Sequence, residues 1–131
     1  MEDRLHRLLE LTSLPTAAGQ EFRVVRWIER WVGEREGLEL RRDPAGNLLI
    51  GSALDTQPSD LLFFTAHLDH PAFVLGEQQA DGRWKVEFRG GVRNPYFKDA
   101  RVRVINDSDV VCRGTVVETE ETKPLRTAII E

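Results

Sequence analysis

The run Leu61-Leu62-Phe63-Phe64-Thr65-Ala66 constrains the fold of this chain more than any other segment. It is apolar on both faces, and a strand of that kind needs cover on both sides, as in the middle of an α/β sheet. Two polar punctuation points frame it: the loop Ser52 to Asp60, with Pro58, and the tripeptide His67-Leu68-Asp69. If the strand runs to its end at position 67, alternation aims His67 and Asp69 to the same side of the sheet.

The segments before it have two different periods. Leu5, Leu8, Leu9 and Leu11 recur at helical spacing among charged residues, which predicts an amphipathic helix over roughly the first dozen residues. Ser13-Leu14-Pro15-Thr16 breaks it. A second helix is predicted from about Gln20 to Val32, with Phe22, Val25, Ile28 and Val32 forming a stripe widened by Val24, Trp27 and Trp31, and with Gly33 or Gly37 as the stop. These aromatic residues read as core or interface and not as ligand-stacking groups. From Leu38 the period is two: Leu38-Glu39-Leu40-Arg41-Arg42, the turn Asp43-Pro44-Ala45-Gly46, and Asn47 to Gly51 predict a hairpin.

Beyond His70 the chain reads as short strands only: Ala72 to Leu75, Trp84 to Phe88, Val102 to Ile105 and Val110 to Val117, separated by turns at Asp81-Gly82, Gly90-Gly91 and Asn106 to Asp109. Closely spaced short strands predict a small barrel or sandwich. The expected fold class is therefore α/β, with two amino-terminal helices on a small sheet (residues 1–70) followed by a β-rich, barrel-like part (residues 71–131).

Net charge of -4, without a basic block or interleaved aromatic pattern, argues against nucleic acid as a partner. No stretch approaches the ~20 apolar residues of a membrane span, and Met1-Glu2-Asp3-Arg4 opens a helix and not a signal peptide, so a cytoplasmic location is expected. One cysteine, Cys112, excludes an internal disulfide framework and a thiolate cluster; it sits in an apolar strand and is expected to be buried.

His67 and Asp69 are the candidate site. A neutral imidazole is a common ligand for zinc or cobalt, and its second ring nitrogen usually donates to a carboxylate that fixes its orientation. The same two residues can equally close a strand end, satisfied by backbone groups or water. His70, pushed toward an extended conformation by Pro71, is expected on the opposite side, as a loop histidine or lining a neighbouring pocket. His6 reads as a surface residue. Glu118, Glu120 and Glu121 read as a solvated turn after a strand, and Asp99 as a turn residue.

The order of these parts resembles the amino-terminal third of the co-catalytic metallo-aminopeptidases, especially the branch of glutamyl aminopeptidases and tetrahedral (TET) peptidases. The matching features are Leu8 to Leu14 with Pro15, the helix Glu21 to Val32, Gly46-Asn47-Leu48, Thr65-Ala66-His67-Leu68-Asp69, and the strands Phe73-Val74-Leu75, Val86 to Gly91 and Arg101 to Val104. The resemblance implies that residues 1–70 are part of a catalytic domain and 71–131 an incomplete inserted barrel, a partial copy of a larger peptidase fold. It implies that His67 is a ligand of one of two divalent ions, zinc or cobalt, and that Asp69 orients it. It implies a peptide substrate, a possible homo-oligomer, and further ligands and a general base that lie outside these residues, so that this chain alone is expected to be inactive. His70-Pro71-Ala72 departs from the acidic residue and Ile-Gly usual after His-x-Asp in that branch. A different class of answer is an inactive binding or oligomerisation module that keeps the helices and barrel.

Overall fold

The computed structural model describes residues 2–52, 62–122 and 125–131. They form two compact units. One comprises residues 1–14 and 21–68, the other residues 15–20 and 69–131. The architecture is mixed α/β.

In the first unit, helix α1 spans Glu2–Ser13 and helix α2 spans Phe22–Gly33, within two residues of expectation. Along α2 the stripe turns inward at Val24 and Val32, which are buried. Trp27 and Trp31, one helical turn apart, stack on each other with ring centroids 6.4 Å apart. Strands β1 (Glu39–Arg42) and β2 (Leu48–Gly51) pair antiparallel, Leu40 opposite Ile50 and Arg42 opposite Leu48. Their turn is held by Asp43, whose carboxylate accepts the Asn47 amide and side-chain N–H, each at 2.8 Å. These bonds, that from the side chain first, hold the Asp43 carboxyl below the usual aspartate range. An ion pair between Arg42 and Glu29 at 3.0 Å ties β1 to α2.

The central strand predicted over 61–66 is not formed over its described residues, 62–66. Leu61 lies outside the described residues, and residues 62–66 are in no strand. Leu62, Phe63 and Phe64 are 78%, 71% and 91% exposed. The reason is a missing neighbour. A strand apolar on both faces needs a sheet to join and cover on both faces, and the sheet of this unit holds just β1 and β2 among the described residues. The same deficit leaves Leu5, Leu8 and Leu9 of α1 more than half exposed, and Leu49 and Ile50 of β2 exposed on opposite faces. The predicted seating of both helices on the sheet is thus met in part, by α2.

The second unit is a curled, open half-barrel of five antiparallel strands: β3 (Ala72–Gln78), β4 (Trp84–Arg89), β5 (Arg101–Ile105), β6 (Val111–Thr122) and β7 (Leu125–Ile130), in the order β3-β4-β7-β6-β5. Its curl comes from β6. That strand pairs with β5 up to Thr115, then with β7 from Val116, with a bulge between Val116 and Glu118. Alternation sends Val86, Phe88, Val116, Ala128 and Ile130 into one core, joined by Phe97. Phe97 is brought in by the connection after β4, through a short 3-10 turn at Asn94–Tyr96. Its ring lies 4.4 Å from Phe88 and 5.1 Å from Phe73. Arg126 closes this corner, its guanidinium 4.6 Å from the Phe88 ring and bonded to the carbonyls of Gly90 and Val92. Gly90 is required there: φ is +138°, and a Cβ would sit 2.8 Å from Pro71.

Candidate metal centre

His67 is exposed, Leu68 and Asp69 are half-buried and His70 is exposed, in a segment without secondary structure that enters β3 at Ala72. Because residues 62–66 pair with no strand, sheet alternation does not set the direction of His67 and Asp69, as the sequence reading assumed. Among the described residues no three His, Cys, Asp or Glu side chains are placed to hold a metal ion. A protein zinc site takes three or four side-chain ligands. The described residues therefore do not fit a zinc or cobalt ion by themselves.

The remaining candidates resolve individually. His6 is exposed on α1, as expected. Asp99 is a turn residue with φ +60°, and its amide donates to the Val116 carbonyl at 3.0 Å. Glu118, Glu120 and Glu121 are not in a turn but in β6. Opposite β7, Glu120 faces Thr127 and Glu121 faces Arg126, so these two carboxylates point to opposite faces, whereas Glu118 and Glu120 share one face. Glu118 pairs with Arg83 at 2.8 Å, and Arg83 also holds Asp81 at 2.7 Å. The Arg83 amide and guanidinium draw the Asp81 carboxyl below its usual range. Cys112 is exposed, contrary to expectation. It lies at the start of β6, next to Val110 and Val111, which are also exposed.

One cavity, of roughly 390 Å³, lies between the helices and is lined by Trp27, Trp31, Arg7, Arg30 and Arg35 among others. Arg35 stacks on Trp31 at 3.8 Å and bonds its carbonyl. A second, of roughly 310 Å³, lies on the outer face of the barrel strands around Lys85, Glu118, Glu120 and Thr127. Neither is lined by His67, Asp69 or His70. Strand β7 and the buried Phe97 were missed in the sequence reading; the Ala128-Ile129-Ile130 run was the available signal for the strand. No helix among the described residues is long and apolar enough to cross a membrane.

No protein-family model matches the chain. Over 108 residues it is 28% identical to the Bacillus subtilis (strain 168) protein named "Putative aminopeptidase YhfE". The match takes in 82% of this chain and 31% of that protein, so the chain spans about a third of the length of the relative. A stretch of 108 residues in a chain of 131 always contains its middle, and with it His67 and Asp69. The similarity is thus to an aminopeptidase-like protein, at a distance.

Proposed function

We propose that this chain is the amino-terminal portion of a metal-dependent aminopeptidase-type hydrolase, of the glutamyl aminopeptidase and TET peptidase kind. In this reading His67 is one ligand of a divalent ion, zinc or cobalt, and Asp69 accepts from its second ring nitrogen and orients it. The other ligands and the general base come from residues outside this chain, and the substrate is a peptide with a free amino terminus. A cytoplasmic location and a homo-oligomer belong to the same reading, and His70 lines a pocket that residues outside this chain complete.

One observation carries the reading: His67 and Asp69 follow an apolar run that has the composition of a central strand yet stands exposed. Leu62, Phe63 and Phe64 suit a strand covered on both faces. The distant similarity to a protein named as an aminopeptidase supports the class of hydrolase. The test is calorimetric titration of the chain with zinc or cobalt, beside assay of an aminoacyl-anilide. Weak binding abolished by His67→Ala, with no turnover, is expected. Tight binding indifferent to His67→Ala, or turnover by the chain alone, contradicts the proposal.

A second reading is an assembly module without chemistry. The same exposed apolar run favours it, since a patch of that kind marks an interaction surface. Sedimentation separates the two. Stable self-association lost in Phe64→Ser, together with no metal affinity at His67, selects the assembly module.

A further inference from the structure

Strand β5 is the outermost strand of the half-barrel and pairs with β6 alone among the described residues. Its sequence alternates strictly. Val102 and Val104 face the core, so Arg101 and Arg103 face outward and are exposed. The register places Arg113 of β6 directly opposite Arg103, on the same outer face. Three exposed guanidinium stems therefore share one patch. None of them is in an ion pair among the described residues, whereas Arg42, Arg83 and Arg89 are each matched to a carboxylate. Like charges directly opposite across a ladder weaken it, so this arrangement is unfavourable for folding in isolation.

We propose that the outer face and free edge of β5 form a docking surface for an extended acidic peptide segment, which adds to the sheet as a strand. The spacing argues for that occupant. Acidic side chains at every second residue of an extended peptide repeat at about 6.6–6.8 Å, the same interval that separates Arg101 and Arg103 along β5. The backbone edge supplies hydrogen bonds that do not depend on peptide sequence, and the arginines select for carboxylates. Charge also disfavours a second copy across a two-fold axis, because antiparallel β5–β5 pairing sets arginine against arginine. A phosphate polymer would use the arginines but not the edge. This inference is independent of the metal chemistry proposed for His67.

The experiment is fluorescence anisotropy of the full chain with a labelled peptide of alternating glutamate and valine, at low and physiological salt. Saturable binding is expected, weakened about tenfold or more by Arg101→Glu with Arg103→Glu, and by N-methylation of alternate peptide amides. Lys85→Glu, a charge change of the same sign on β4, three places from β5 in the strand order, is expected to leave it within about twofold. Arg103→Glu places opposite charges across from Arg113, so it should fold; Arg103→Gln provides a second variant. Amide shifts on peptide addition to the unaltered chain should centre on residues 101–105. Absence of binding, equal loss with Lys85→Glu, indifference to N-methylation, or shifts centred on β3 would overturn the proposal. So would tighter binding of inorganic polyphosphate through the same arginines, or self-association abolished by Arg103→Glu.

Discussion

Phe64→Ser is expected to leave the stability of this chain almost unchanged, although phenylalanine is among the costliest residues to remove from a core. Phe64 is 91% exposed, so its ring loses almost nothing on replacement, and a change of no more than about 0.5 kcal/mol follows. Were residues 62–66 a covered strand, full burial of that side chain would contribute about 1.5–3 kcal/mol, and its loss would show. The internal comparison is Phe97→Ala. Phe97 is 5% exposed and meets Phe73, Phe88 and Arg126. Removing it leaves a cavity at the corner of the half-barrel, for about 3–5 kcal/mol. Because the two residues lie in different units, each is read by its own probe: the helical far-UV signal for the unit of Phe64, and near-UV ellipticity for the aromatic cluster of Phe97. Urea unfolding supplies both. A loss of 2 kcal/mol or more for Phe64→Ser, or of less than 1 for Phe97→Ala, would refute the reasoning.

Arg126→Leu removes two charge-assisted bonds to the Gly90 and Val92 carbonyls and a ring contact with Phe88; about 2–3 kcal/mol is expected to be lost in urea unfolding. Gly90→Ala meets both a positive φ and a Cβ contact with Pro71, and is expected to cost at least about 2 kcal/mol by the same measurement. The Asp43 carboxyl is held below its ordinary value by Asn47, so its contribution to the β1–β2 turn is full above the unfolded aspartate pKa of about 3.9 and is lost as pH falls through the lower folded value. Amide exchange at Asn47 should accelerate relative to an Asp43→Asn reference across that acidic window and not above it.

Much of the architecture was legible because local pattern and tertiary context agree. The Leu5, Leu8, Leu9 spacing marked α1, and Asp43-Pro44-Ala45-Gly46 marked a turn whose bonds are local. The alternation in Trp84 to Phe88 and Val102 to Ile105 marked strands whose inner residues now pack in one core. The failures share a cause. Residues 62–66 read as a central strand because their composition reports the environment they suit, while the fold reports the neighbours they have. Cys112 misled for the same reason: its apolar context, Val110-Val111, suits burial, yet both valines are themselves exposed. Glu118 to Glu121 looked like a turn because polarity was read as solvent, yet β6 is solvated on one face and paired along its edge. Strand β7 was overlooked because half of its length, Leu125-Arg126-Thr127, carries no apolar alternation, and its identity depends in part on β4, whose paired residues lie 40 to 46 positions earlier (Glu87 with Thr127, Trp84 with Ile130). The candidate site was legible only as far as two residue types at a spacing. His67 and Asp69 could be named, but a ligand set cannot be completed from one segment.

The measurement that bears most directly on the central claim is nitrogen-15 imidazole spectroscopy of the three histidines during zinc titration. His67 is expected to show one ring nitrogen shifted by metal while the other stays protonated, with affinity falling about 10–100-fold in Asp69→Asn and His6 unaffected. A response spread equally over His6, His67 and His70, or one unchanged by Asp69→Asn, would contradict a ligand role for His67 steered by its neighbouring carboxylate.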